Sequence, residues 1–96
     1  MSVERISFEH QVVETPRHIQ DLLMQLQVAK NNADHDLYLA TIDEADARRA
    51  RRHGHVREAK RLATRALMLR KSSRRWDKEA RRIRGELLKR RVSHLI

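Results

Sequence analysis

The chain has 96 residues, 40% of them hydrophobic and 36% charged, and a formal net charge of +9. This length allows one domain with a small core, and the absence of cysteine excludes disulfides, cysteine nucleophiles and thiolate metal sites. Two glycines and one proline exclude a turn-rich all-β domain and glycine-rich phosphate-binding loops.

The charge is distributed unevenly. Residues 1–47 carry three basic and nine acidic residues, whereas residues 48–91 carry nineteen basic and four acidic ones. Because ordinary surfaces mix both signs, the basic half indicates a polyanionic partner, either a nucleic acid or an acidic protein. No apolar run is long enough for a transmembrane helix, and no secretory signal is found at the start. We therefore expect no membrane partner and an intracellular location, cytoplasmic or nuclear.

Residues 1–14 show no helical stripe. Ile6, Phe8 and Val12 lie at even spacing, which favours a short extended N-terminal segment, with a frayed terminus as the alternative. Residues 15–96 are predicted to form a single helical domain.

The first predicted helix begins at Thr15, a good N-cap, followed by Pro16 in the first helical position. Asn31 and Asn32 are residues that commonly end a helix. The apolar face between them has the spacing of successive helical turns. It consists of Ile19, Leu22, Leu23 and Leu26.

A second helix is predicted to begin near Ala33. Tyr38, Ile42 and Ala45 share one face, which predicts that they pack in the core. The apolar pattern fades after Ala45, and the helix then becomes basic. Its basic residues are Arg48, Arg49, Arg51 and Arg52.

Gly54, between two histidines, marks the next junction, either as a C-terminal cap or as a helical glycine. We favour a helical hairpin here over one continuous helix, because the apolar stripe is not continuous. The third helix is predicted over Val56–Arg70. Its inner face is Ala59, Leu62, Ala63, Ala66 and Leu69.

Ser72 and Ser73 predict a break and the N-cap of a fourth helix, which runs from about Arg74 to Arg91. Its apolar residues are spaced by steps of four, three and four, as in a coiled-coil seam. They are Trp76, Ala80, Ile83 and Leu87.

The sequence thus predicts an all-α fold, a three- to four-helix bundle or helical hairpins. Because the seam at Trp76–Leu87 is narrow for a self-sufficient core, we expect a homodimer. The shared surface would be this seam or the leucines of the first helix.

Basic side chains lie opposite the apolar faces of the third and fourth helices. We predict that they bind nucleic acid, and that their replacement spares the fold because they lie away from the apolar stripes. The predicted site residues are Arg57, Lys60, Arg61, Arg65, Arg74, Lys78, Arg81 and Arg82.

The stretch Gly54–Leu69 resembles the second helix of a tetratricopeptide repeat and the corresponding hairpin of the microtubule-interacting-and-trafficking domain. The resemblance implies a glycine in the turn and small residues at the helix contact. No second repeat at the 34-residue period is visible, so we interpret it as an antiparallel helical hairpin. The matching residues are Ala47, Gly54, Glu58, Ala59, Ala66, Leu67 and Leu69.

The overall type also resembles, in architecture, the small all-helical RNA-silencing suppressors of nodaviruses. That resemblance implies a dimer whose helices lay basic residues along duplex RNA.

The sequence offers little chemistry for catalysis or for a cofactor. His53 and His55 have no nearby carboxylate or thiolate to complete a metal site, and no serine lies in a nucleophile elbow. Trp76 and Tyr38 lie in apolar stripes, which predicts packing in the core and leaves too few aromatic groups to stack on single-stranded bases.

We therefore predict a non-enzymatic protein that binds the phosphates of a duplex, double-stranded RNA before DNA. It would need no metal and no cofactor. The alternative is a small helical adaptor or chaperone that binds a protein partner through its hairpin.

Overall fold

A computed structural model describes residues 16–90, which form two α-helices in an antiparallel hairpin. Helix α1 spans Pro16–Arg52 and helix α2 spans Val56–Lys89. Between residues 16 and 90 there is no strand, and neither helix is apolar enough over a sufficient length to cross a membrane. The all-α prediction and the hairpin are confirmed. The predictions for residues 1–14, Thr15 and residues 91–96 lie outside the described part of the chain.

The hairpin turn is closed by backbone hydrogen bonds around Gly54. The amide of Gly54 donates to the carbonyl of Arg51 at 3.0 Å, and the amide of His55 donates to that of Ala50 at 2.8 Å. This is the Schellman arrangement, which requires a left-handed residue after the helix end. Gly54 supplies it with a φ of 78° at no steric cost.

The predicted breaks at Asn31–Asn32 and Ser72–Ser73 are wrong, because both segments lie inside continuous helices. The protein therefore has two long helices in residues 16–90, not three or four. Side chains that favour caps in isolation are here satisfied within the hairpin. Ser73 is buried, and its hydroxyl donates to the carbonyl of Ala33 at 2.8 Å. Packing thus outweighs local propensity.

A seven-residue repeat of buried residues runs through both helices without interruption. On α1 it consists of Ile19, Leu26, Ala33, Ala40 and Ala47. A repeat of seven keeps one face of a helix turned toward its partner over many turns. On α2 it consists of Ala59, Ala66, Ser73, Ala80 and Leu87.

The two ends of the hairpin are packed differently. At the open end, Ile19, Leu22 and Leu26 of α1 form one apolar cluster with Ile83 and Leu87 of α2. We call this the leucine-rich half, and Trp76 and Leu23 pack partly buried against it. The predicted faces of the first and fourth helices are confirmed, but they pack on each other within one chain.

Toward the turn the buried positions are occupied by small residues, so the helices can approach closely. We call this the alanine-rich half, and Leu62 is its one large buried side chain among the described residues. Its buried alanines are Ala33, Ala40 and Ala47 on α1 and Ala59 and Ala66 on α2.

The predicted inner face of the second helix is wrong. Tyr38 is 64% exposed and Ile42 38% exposed, whereas Ala40 and Ala47 are buried instead. Since small residues allow close helix contact, the alanines face α2 and the larger side chains face outward. Ala63, predicted on the inner face of the third helix, is likewise exposed.

Candidate nucleic-acid interface

The charge asymmetry of the sequence becomes an asymmetry between the two helices. Helix α1 carries six basic and six acidic residues, so its formal charge is zero. Helix α2 carries thirteen basic and four acidic residues. The four arginines in the last turns of α1 lie at the turn end, so positive charge continues from α2 around the hairpin turn.

The acidic residues of α2 all lie beside the contact with α1. In the seven-residue repeat, Glu58, Glu79 and Glu86 flank the seam on one side and Asp77 on the other. The three repeat positions farthest from α1 hold no acidic residue along the whole helix. We define these three positions as the outer face of α2.

The outer face carries exposed cations along most of its length. The first and the last of these cations are 32 residues apart, or about 48 Å at 1.5 Å per residue. Only one interval lacks a cation for more than two turns, between Arg61 and Lys71, where Leu67 and Met68 are exposed. The basic members are Arg57, Lys60, Arg61, Lys71, Arg74, Arg75, Lys78, Arg81, Arg82 and Lys89.

Seven of the eight predicted site residues lie on this outer face, and Arg65 does not. Arg65 lies on the flank of the seam and donates two hydrogen bonds to the carboxylate of Asp43, at 2.7 and 2.8 Å. Since Asp43 is 4% exposed, this pair joins the two helices. The expectation that every predicted site residue can be replaced without touching the fold therefore fails for Arg65.

The Arg65 guanidinium also sets the charge state of its partner. Its hydrogen bonds lower the pKa of Asp43 below the ordinary value of 3.8, against the opposing effect of burial. Glu44 is held in the same way by Arg70, whose guanidinium donates at 2.7 Å through both Nε and Nη2. The hydrogen bonds from Arg70 lower the pKa of Glu44.

Two outer-face arginines have carboxylate partners on their own helix. Arg61 pairs with Glu58 at 2.5 Å and Arg82 pairs with Glu79 at 2.6 Å. Both pairs are exposed, so each holds its arginine only weakly. Within residues 16–90, no ion pair is formed by five of the predicted site residues. They are Arg57, Lys60, Arg74, Lys78 and Arg81.

Lys71 belongs to the same surface but was not predicted. The expected break at Ser72–Ser73 placed it at the end of a helix, where its direction is undefined. The seven-residue spacing of Ala59, Ala66 and Ser73 was the signal that could have placed it. Arg75 and Lys89 also lie opposite the seam by the spacing of the fourth helix, and they are exposed on the outer face.

Helix α2 lacks two classes of side chain that bind bases, exposed aromatic groups and amides. Its single aromatic residue, Trp76, is partly buried against the leucine-rich half, in keeping with its predicted place in the core. Helix α2 contains neither Asn nor Gln, the residues that most often read adenine. The outer face can therefore hold phosphates, and it has no amide group to read adenine and no aromatic platform for stacking.

The turn histidines do not form part of a larger cluster. The rings of His53 and His55 have centroids 6.3 Å apart. Between residues 16 and 90 no group of three His, Cys, Asp or Glu side chains is placed to hold a metal ion.

No family model, no curated protein and no solved structure matches this chain.

Proposed function

We propose that the protein is a non-enzymatic nucleic-acid-binding protein that holds the phosphates of a duplex on the outer face of α2. The observation that carries the proposal is the charge of that face. Over the 34 residues of the helix, the outer face has ten exposed basic residues, and the acidic residues of the helix all lie off this face. Lysine and arginine bind phosphate through charge-assisted hydrogen bonds and release counterions from the duplex.

The length of the outer face supports a duplex as the ligand. The face extends about 48 Å, which exceeds one turn of B-DNA, roughly 34 to 36 Å. A straight row of cations of this length can meet the backbone at two places along the same side of a duplex. A small anion would need a compact site, and this surface is long and open.

The chemistry of the face favours double-stranded RNA over single strands and over sequence-specific DNA binding. Binding of single strands relies on aromatic platforms, and the outer face of α2 has none. Specific DNA readout commonly uses Asn or Gln to bond adenine, beside Arg or Lys to bond guanine, and α2 has neither Asn nor Gln. Duplex RNA is bound mainly through its shape and its backbone, which requires only what this face provides.

The proposal is tested by the salt dependence of duplex binding, using random-sequence RNA and DNA duplexes longer than the face. The parent protein is expected to lose affinity linearly in log K against log salt. In the variant Lys78→Gln/Arg81→Gln, two outer-face cations without ion pairs are removed. Its affinity should fall for every sequence, and its salt slope should fall by about 0.9 for each lost phosphate contact on B-DNA.

A matched control removes the same charge from α1. Arg17→Gln/Lys30→Gln replaces two exposed cations that form no ion pair within residues 16–90. Its binding and its salt slope should stay close to those of the parent. Equal losses in both variants would mean that net charge alone attracts the duplex, and unsaturable binding by the parent would favour the adaptor function with an acidic protein partner.

We also propose a homodimer, independently of duplex binding and on a different surface from the expected ones. The apolar stripes of Ile19–Leu26 and Trp76–Leu87 are buried against each other within one chain. The reasoning that the second stripe needs another copy was therefore wrong. A second copy would have to bind elsewhere on the hairpin.

A further inference from the structure

Helix α1 has a second stripe on the side away from α2. It runs from Met24 to Ala45 in alternating steps of four and three residues, the spacing of a coiled-coil seam. All of its members except Ala45, which is half-buried, are exposed. We call it the outer stripe: Met24, Val28, Asn31, His35, Tyr38, Ile42 and Ala45.

The outer stripe is too apolar for an ordinary solvated face of a helix. Met24, Val28 and Tyr38 are each more than half exposed, and Ile42 is 38% exposed. Its first and last members are 21 residues apart, about 32 Å, which is the three heptads from which coiled-coil pairing becomes recognisable. The seven members carry no formal charge with histidine neutral, so nothing in the stripe opposes burial against a similar surface.

Six of the seven members of the outer stripe are placed symmetrically about residue 33, and the seventh, Ala45, would lie opposite Asp21. If two copies pack antiparallel with their two-fold axis at this residue, Met24 lies opposite Ile42 and Val28 opposite Tyr38. Asn31 then lies opposite His35, so that the two polar residues meet in the middle and can hydrogen-bond. In these three pairs, apolar groups meet apolar groups and polar groups meet polar groups. A surface that is complementary to itself in this way is what a two-fold dimer requires.

Charge also favours the antiparallel orientation. A parallel pair would place the four arginines at the C-terminal end of α1 beside those of the second copy. In the antiparallel pair these ends lie at opposite ends of the dimer. There, Arg49 of one copy lies opposite Arg17 of the other, with the carboxylate of Asp21 one helical turn away, so fewer like charges meet than in the parallel pair.

From these observations we infer that the outer stripe of α1 is the contact with a second copy of this chain, packed antiparallel about residue 33. The polar pair of Asn31 and His35 fixes the register, as single polar residues do in other coiled coils. The inference concerns assembly only, and it stands whether or not the outer face of α2 binds a duplex.

The dimer would have a consequence for the proposed function. On α1 the outer stripe lies nearly opposite the seam with α2, so the four helices would follow the order α2, α1, α1, α2. The two outer faces of α2 then point away from each other. With the faces in this arrangement, one dimer can hold two duplexes, a consequence that rests on the proposed duplex binding.

The test uses single cysteines, which are unambiguous because the chain has none of its own. Met24→Cys and Ile42→Cys are purified separately and then oxidised, alone and mixed, without nucleic acid. A disulfide needs Cα atoms within about 7 Å. The antiparallel dimer therefore predicts crosslinking in the mixture only, since two copies of residue 24 would be about 27 Å apart at 1.5 Å per residue.

The control replaces an equally exposed residue on the other helix. Met68→Cys, on the outer face of α2, is 65% exposed against 60% for Met24, and its mixture with Met24→Cys should crosslink only at the rate of random collision. The inference is wrong if that mixture crosslinks as fast as Met24→Cys with Ile42→Cys. Self-crosslinking of Met24→Cys would overturn the antiparallel orientation.

Light scattering provides an independent readout. The parent should be dimeric at tens of micromolar, and Tyr38→Glu should be monomeric with the same helicity by circular dichroism, because Tyr38 is mostly exposed within its own chain. A monomeric parent at this concentration would overturn the inference. Duplex binding by such a monomer would still leave the proposed function standing.

Discussion

The two halves of the hairpin are held together by different means. In the leucine-rich half, large apolar side chains from both helices fill one cluster. In the alanine-rich half, the buried side chains are mostly alanine, which removes little apolar area from water. There the helices are joined by hydrogen bonds and ion pairs instead, among them Asp43 with Arg65 and Glu44 with Arg70.

Because of this difference, the two halves contribute differently to the stability of the helix contact and to the alignment of α1 with α2. Burial of the large leucine and isoleucine side chains stabilises the contact, but the hydrophobic effect has no preferred direction. The polar contacts are directional, because each donor meets one acceptor. Ser72 donates to Asp36 at 2.5 Å and Ser73 donates to the carbonyl of Ala33 at 2.8 Å. We infer that the leucine-rich half supplies stability and the alanine-rich half fixes the alignment of α1 with α2.

The largest effect is expected from a charge in the leucine-rich half. Leu87 is 0% exposed, so Leu87→Asp should cost several kcal/mol through burial of an unpaired carboxylate. Loss of helicity by circular dichroism and of the cooperative thermal transition would be measured together. The neighbouring Leu88 is 51% exposed, and Leu88→Asp should leave both almost unchanged. Equal effects of the two substitutions would contradict the described packing.

A smaller effect is expected where the helices approach closely. Ala66 is 1% exposed at the contact with α1, so Ala66→Leu forces the helices apart and should cost roughly 1 to 3 kcal/mol. Urea unfolding measures this loss. Ala63 is exposed on the same helix, and Ala63→Leu should be nearly neutral. If Ala66→Leu were as harmless, the alanine contact would not be close.

The interhelical ion pair makes a pH-dependent contribution. Because Arg65 lowers the pKa of Asp43 in the folded protein, the pair stabilises the fold above the ordinary carboxyl pKa of 3.8. The contribution disappears as the pH falls through the lower folded value. Asp43→Asn should therefore lower the melting temperature by a few degrees at neutral pH, and by much less in strong acid.

Asp34 offers a control for this pH dependence. It is exposed and forms no ion pair within residues 16–90. The melting temperature of Asp34→Asn should follow that of the parent at both pH values. A difference between the parent and Asp43→Asn that stays constant with pH would show that shape, not charge, makes Asp43 matter.

The leucine-rich half could be predicted from the sequence, and the face of α1 in the alanine-rich half could not. The leucine-rich half follows the ordinary rule that large apolar residues repeat on one helix face, and its residues were predicted correctly. In the alanine-rich half the larger side chains of Tyr38 and Ile42 were preferred over the alanines as core residues, so the wrong face was assigned. Asp43 also made the buried face hard to recognise, because a charged residue is not expected in the seam and its partner Arg65 lies 22 residues away.

The outer face of α2 was predictable because helical geometry alone turns its cations away from the apolar stripe. The ion pair of Arg65 with Asp43 was not predictable, because it depends on the register between two helices. The continuity of α2 through Ser72 and Ser73 was missed for a similar reason. Their hydroxyls bond to α1, and a single helix pattern contains no information about the partner.

The smallest effects are expected at the two glycines, one in each half, and they should have opposite signs. Gly54 in the turn has a φ of 78° with no atom near an added Cβ, so Gly54→Ala is strained by the backbone alone and should cost roughly 1 kcal/mol. Gly85 lies inside α2, also with open space around an added Cβ. Gly85→Ala should therefore stabilise the protein by up to about 1 kcal/mol through helix propensity. Urea unfolding measures the free energy of unfolding of both variants. A loss of stability in Gly85→Ala would mean that α2 does not continue as a regular helix beside the leucine-rich half.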